Sequence, residues 1–185
     1  MDFSHYSDRP VGLAVALINT WDVAAGEEHL DTPEALGAFI AEQGAGWDPP
    51  QGVPSERDLK EVKDLRRRLR AVFDAGDAAV AAELLNHVLA DVGAVPRLSV
   101  HGVGPHLHFE PASDRPARWL GAIAAMGLVV ALVDGGLARL GICESSSCDD
   151  VFVDRSKNRS RRHCSDTCTT RESVAAYRRR RRTAP

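Results

Sequence analysis

The stretch CESSSCDDVFVDRSKNRSRRHCSDTC, residues 143–168, holds all four cysteines of this 185-residue chain. They fall into two close pairs, Cys143-x4-Cys148 and Cys164-x3-Cys168, separated by fifteen residues rich in arginine. Paired thiols at short spacing, with a second pair a loop away, are how a chain builds a tetrahedral thiolate site. In the second pair, Ser165 is a natural N-cap, so Cys164 stands just outside a helix and Cys168 at its third position. Both sulfurs then reach one ion, and the helix N-terminus favours their thiolate forms. Glu144-Ser145-Ser146-Ser147 between the first pair suits a tight knuckle, and Val151-Phe152-Val153 reads as a short strand. Knuckle, strand, loop and helix start, in that order, make a treble-clef-like zinc finger.

Working outward, the window runs into an arginine tail. Residues 155–185 carry eleven Lys and Arg against Asp166 and Glu172, a net of +9. The first 154 residues therefore hold 12 bases and 24 acids, a net of −12. Such a division lets one end attract a polyanion while the other repels it. Met1 to Pro10 is polar and has no basic n-region, so no secretory signal is expected. Trp119 to Val133, the longest uncharged apolar run, is shorter than the roughly 20 residues of a membrane span and reads as a core helix. A cytoplasmic, reducing setting is expected, where clustered cysteines serve metals rather than disulfides.

Upstream, the punctuation is mostly helical. Val11 to Thr20 reads as a short helix. Thr32 as N-cap, Pro33 at the first helical position and Gly44 as stop bracket a second. Ser55 opens a third, with Leu59, Val62, Leu65, Leu69, Val72 and Phe73 in one apolar stripe. Asp77 and Gly93 bound a fourth, and Asp114 is expected to cap the apolar helix that ends at Gly135-Gly136. Leu98 to Glu110 alternates with a period of two around Gly104-Pro105 and reads as a β-hairpin. The fold class is thus α+β: a mostly helical body with a small β-hairpin, residues 1–140, then the finger, residues 141–185. Because the body has its own caps and stripes, it is expected to fold without the finger.

The run from Cys143 through Val151-Phe152-Val153-Asp154-Arg155 to Cys164-Ser165-x2-Cys168, then Arg171 and Ala175-Ala176-Tyr177-Arg178, resembles the CGNR zinc-finger family. Its members carry an N-terminal ABATE domain and are assigned, by inference, as stress-induced transcriptional regulators. Leu17-Ile18-Asn19-Thr20 and the overall length resemble that N-terminal domain. The name-giving Cys-Gly-Asn-Arg stands here as Cys168-Thr169-Thr170-Arg171. Ser173 replaces an expected lysine, and His163 an expected aromatic. With four cysteines retained, the resemblance implies that one Zn²⁺ per chain is bound.

Iron–sulfur ligation would use the same four thiols, and His163 stands beside a ligand. Zinc suits best a segment with too little apolar surface to fold alone. For nucleic acid the candidate contacts are Arg155, Lys157, Arg159, Arg161 and Arg162 in the metal-clamped loop, then Arg171, Arg178, Arg179 and Arg182 on the terminal helix. DNA is the expected partner; RNA or an acidic protein surface is the alternative, and no membrane is expected. The body would sense a signal or self-associate into a homo-oligomer. His101, His106 and His108 lie on the hairpin, and the face that His106 and His108 share reads as half-exposed rather than as a second metal or ligand site; Glu27, Glu28 and His29 have no catalytic partner motif. With no phosphate-binding glycine loop, nucleophile elbow or HExxH, the chain is not expected to be an enzyme.

Overall fold

A computed structural model describes residues 9–45, 47–100, 105–111 and 113–183. Helix α1 (Arg9–Ile18) leads into a minimal antiparallel pair, β1 (Trp21–Asp22) and β2 (Glu27–Glu28). Helix α2 (Pro33–Gln43) starts where the sequence places it, the Thr32 hydroxyl accepting the Ala35 N–H, and Gly44 closes it. Helix α3 (Glu56–Phe73) has a reciprocal capping box between Ser55 and Asp58. Asp77 caps α4 (Ala78–Val92) by accepting the N–H groups of Ala79 and Val80, and Gly93 ends it in the left-handed region at φ 64°. These caps satisfy backbone donors that a helix end leaves orphaned.

Helix α5 (Pro116–Gly135) is the centre of the molecule. It is apolar on most of its circumference because α1, α3 and α4 pack against most of it, although Val133 near its end is exposed. Two glycines permit that closeness: a Cβ at Gly127 would lie 2.6 Å from the Pro10 carbonyl carbon, and one at Gly121 2.7 Å from Val92. By length and composition α5 could cross a bilayer, but Trp119, Leu120, Ala124, Ala125 and Leu128 are buried in the core of this fold. Its start differs from the expected one. Arg115 occupies the N-cap position without a side-chain hydrogen bond, and Pro116 fixes the first turn, so Asp114 is not the cap.

The hairpin also begins earlier than its alternation indicates. Strand β3 (Val95–Ser99) pairs antiparallel with β4 (His106–Glu110), and Val100 lies beyond the strand. Its outer residues Val95 and Leu98 are exposed, which is why a two-residue hydrophobic period misplaces it. The predicted turn at Gly104, with His101 and Val103, lies outside the described residues.

One buried polar group joins the first hairpin to the helices. Arg66 sits on the apolar stripe of α3, seven residues after Leu59, and its guanidinium is buried. It grips both carboxylate oxygens of Glu28 at 2.7 Å and donates to the Thr20 hydroxyl at 2.9 Å. Burial pushes the Glu28 pKa up, but Arg66, the Leu30 N–H and Lys63 together outweigh it and hold the carboxylate below its usual range. Glu28 therefore has a structural partner, and burying Arg66 is tolerated because the pair is bidentate.

Beyond α5, a 3₁₀ turn (Leu137–Arg139) leads to β5 (Leu140–Ile142), antiparallel to β6 (Val151–Val153), and the chain ends in α6 (Asp166–Thr183). The chain is thus α+β, mostly helical with small antiparallel strand pairs, and its cysteine cluster follows the helical body. All three β6 residues are buried, and the two faces of the strand serve different purposes. Val151 and Val153 join the same core as Val11, Leu13 and Leu17, together with Leu140. Phe152 points the other way, onto Gly141, where any Cβ would stand 2.4 Å from the ring. Strand β6, which belongs to the finger by sequence position, thus shares the core of the body. The independence expected of the body does not follow from this packing.

Candidate metal centre and cationic surface

The four sulfurs converge as the spacing requires. Cys143, Cys148, Cys164 and Cys168 place their Sγ atoms within 4.8 Å of one another, with Cys148–Cys164 at 3.6 Å and Cys164–Cys168 at 3.7 Å. A tetrahedron of thiolates at the usual Zn–S distance of about 2.3 Å has edges of about 3.8 Å. These separations fit that tetrahedron and are far longer than the ~2.05 Å of a disulfide. Cys143 and Cys168 are buried, and the other two are partly covered.

Local structure explains how each ligand is held. Cys143 follows β5 directly, and its N–H donates to the Asp150 carbonyl at 2.8 Å, closing the knuckle as a continuation of the β5–β6 pair. The Cys148 N–H donates to the Ser145 carbonyl. Ser165 caps α6 as its sequence position indicates, its hydroxyl accepting the Cys168 N–H at 3.3 Å. The Cys164 N–H donates to the Cys143 sulfur at 3.4 Å, so a backbone dipole already favours negative charge there.

Burial pushes the Cys148 thiol up to about 12 and raises that of Cys164 as well. The Ser165 hydroxyl beside Cys168 pulls its thiol down. Four thiolates this close repel one another, and a divalent cation at their centre supplies the opposite charge they lack. Ligand binding must therefore release protons, and affinity weakens as pH falls.

Contacts that sequence reasoning did not single out brace the site. Glu172 of α6 reaches back to the knuckle, accepting from the Ser146 N–H and hydroxyl, both at 2.9 Å, and from Ser145 at 3.2 Å. Arg171 donates to the Ser147 hydroxyl at 2.7 Å. Asn19, at the end of α1, exchanges two hydrogen bonds with the Val151 backbone at 3.0 and 2.9 Å, as a neighbouring strand would. Arg70 of α3 donates to the Asp149 carbonyl at 2.6 Å. The only hint of these in the sequence is that Asn19 follows an apolar run without starting a helix.

The cationic residues separate into two groups. Arg161 lies over the Phe152 ring at 5.1 Å and donates to the carbonyls of His163 and Cys164. Arg162 pairs with Glu144. With Arg171, these three hold the finger together although their sequence positions also suggest phosphate contact. Lys157 and Arg159, by contrast, are exposed on the loop between β6 and Cys164, and Arg155 stands at its start. On α6, Arg178 and Arg179 are exposed and Arg181 leans over Tyr177. Arg182 lies within the same helix.

The loop itself is organised by Asp154, which is only 3% exposed. Its carboxylate accepts the N–H groups of Ser156 at 2.7 Å and Arg161 at 2.9 Å. Arg139 clasps the carbonyls of Asp154 and Ser156 at 2.9 and 2.6 Å. Burial works to raise the Asp154 pKa; the Ser156 and Arg161 hydrogen bonds and the Arg139 charge outweigh it, so the pKa is lowered. A lowered carboxylate pKa means its stabilisation is complete above the ordinary value near 4 and is lost as pH falls through the folded value. Replacing Asp154 by alanine removes two charge-assisted hydrogen bonds and strands two N–H donors. The expected loss is about 2–4 kcal/mol, read by denaturant unfolding of the zinc-loaded protein at pH 7.

The comparisons with known families agree with this geometry. Residues 12–136 match the sequence model of the ABATE family, described as "Putative stress-induced transcription regulator". Residues 139–181 match the CGNR zinc finger. The chain belongs to the ABATE family of regulators, and its C-terminal segment is a CGNR zinc finger whose four cysteines make a site for one Zn²⁺. Both are regulator and zinc-finger types rather than enzyme families. No curated protein matches this chain. The Thr169-Thr170 pair in place of the family's Gly-Asn is accommodated as helix. Thr169 donates through both its N–H and its hydroxyl to the Ser165 carbonyl, and both threonines are exposed.

Proposed function

We propose that this chain is a cytoplasmic transcriptional regulator that binds duplex DNA through residues 141–185 and needs zinc to do so. The observation that carries this reading is a cationic surface mounted on a metal-held frame. Exposed Lys157, Arg159, Arg178 and Arg179 project from a module whose backbone the four cysteines fix. A net of +9 over 31 residues supplies the attraction to phosphate, and the rigid frame limits the entropy lost on docking.

The Zn²⁺ would serve as a closed structural ion held by Cys143, Cys148, Cys164 and Cys168, with no open position for a substrate. The chain's own residues perform the rest. Glu172 and Arg171 lock α6 to the knuckle, Asp154 shapes the loop, and the terminal arginines extend the positive field along α6. The acidic body, residues 1–140, then keeps nucleic acid on the finger side and is the part available to receive a stress signal or to pair with a second copy.

Anisotropy titrations of a labelled duplex with the zinc-loaded chain test this reading. Affinity should fall linearly in log[salt], with a slope of about −0.9 per phosphate contacted. Changing Arg178, Arg179, Arg180, Arg181 and Arg182 to glutamine should weaken binding to every duplex alike and flatten that slope. A preference for hairpin RNA over duplex, or binding insensitive to salt, would replace this reading with one in which RNA or an acidic protein is the partner.

A further inference from the structure

The finger presents its cations in two physically different ways. Arg161, Arg162 and Arg171 spend their guanidinium groups on carbonyls, Glu144 and Ser147, as described above. Among the described residues, Lys157, Asn158 and Arg159 are exposed and their side chains make no intramolecular hydrogen bond or ion pair. These three form the tip of the loop that Asp154 organises.

That tip is not a loose arm. The Arg159 N–H donates to the Ser156 carbonyl at 3.3 Å, and the Ser160 N–H to the Ser156 hydroxyl at 3.1 Å. Among the described residues Arg159 is the non-glycine one with positive φ, at 51°. A side chain in the left-handed region is uncommon, and here the turn directs it outward beside Asn158. Asp154, Arg139 and the Ser156 hydroxyl hold the turn from beneath, and the metal holds both ends through Cys148 and Cys164.

Resting on the proposed duplex binding, we infer that Asn158 and Arg159 are the base-reading pair of this finger, while the α6 arginines contact the phosphate backbone. The chemistry is specific. An amide side chain can bond adenine through both its donor and acceptor edges, and a guanidinium can bond guanine N7 and O6 together. Lys157 beside them supplies a phosphate contact at the groove edge. A tip held in one conformation loses little freedom on docking, which is what discrimination between bases requires. Helix α6 is less suited to that task, because Glu172 and Arg171 on its second turn are turned back to the knuckle.

The test uses the full zinc-loaded chain and a duplex selected from a random pool, compared with scrambled duplexes. Arg159→Lys keeps the charge and loses the fork. It should retain affinity for scrambled duplexes to within about threefold and lose at least about tenfold in preference for the selected one. Arg159→Gly removes the side chain where glycine is the residue best suited to the backbone, so folding is spared and the preference should fall equally. Asn158→Ala should relax the choice at a neighbouring base pair. Wild-type discrimination kept undiminished in Arg159→Lys and Asn158→Ala would overturn this inference and leave duplex binding intact. Failure of the wild-type chain to bind duplex at all would overturn the proposed function, and this inference with it.

Discussion

Replacing Cys168 by serine should abolish zinc binding and lower the stability of the whole chain, not of the finger alone. Three remaining thiols cannot close the tetrahedron, and structural zinc contributes about 10–16 kcal/mol to folding in small fingers. Without the ion, residues after about Gly141 lose their frame. Val151 and Val153 then leave the core they share with Val11 and Leu17. Elemental analysis should find about one Zn²⁺ per wild-type chain and none in the variant. Near-ultraviolet circular dichroism and thermal unfolding should show loss of finger structure together with a lowered midpoint for the helical body. A chelator added to wild type should reproduce both changes. An unaltered body transition would mean that the hairpin β5–β6 contributes nothing to the helical core.

The second large effect concerns the body by itself. Truncation after Gly136 removes Leu140, Val151 and Val153 from the core and leaves Asn19 without the Val151 backbone it pairs with. Fully burying such aliphatic side chains is worth roughly 1.5–3 kcal/mol each. Allowing for relaxation of the exposed face, the loss should be on the order of 5 kcal/mol. For a chain of this length that corresponds to a fall in midpoint of roughly 10–20 °C. The truncated body should still show helical circular dichroism, because the Thr32, Ser55 and Asp77 caps and the α5 packing are intact. Asn19→Ala in the full chain is the gentler form of the same experiment and should lower the midpoint by a few degrees. A truncated body as stable as the full chain would restore the independence that its caps alone imply.

The parts of this structure that short-range chemistry dictates were legible in the sequence. Thr32 with Pro33, Ser55 with Asp58, and Asp77 and Gly93 each by itself, carry a capping signal complete within a few residues, and a helix starts or stops at each. The cysteine spacing and Ser165 together specified the metal site, because a tetrahedral ion leaves four thiols few arrangements. What stayed hidden depends on contacts distant in sequence. Arg66 looked like one more charge on α3 because its partner Glu28 lies 38 residues away. Asn19 and Val151 are 132 residues apart. Arginine counting treated every guanidinium in the loop as available, whereas Arg161 and Arg162 are engaged by the carbonyls of His163 and Cys164 and by Glu144. The α5 cap was misplaced because Pro116 sets the first turn without any side-chain acceptor.

In the proposed function, zinc creates the surface that docks on DNA. The direct measurement is a pair of anisotropy titrations on one duplex at one moderate salt concentration, with the zinc-loaded chain and with the same chain after chelation. The zinc form should bind in a salt-sensitive way. Chelation should lower affinity at least tenfold, and restoring zinc should recover it, because without the ion the loop tip and α6 no longer share one frame. Equal affinity with and without zinc would show that the arginine tail acts as an unstructured polycation and that DNA docking does not need the metal.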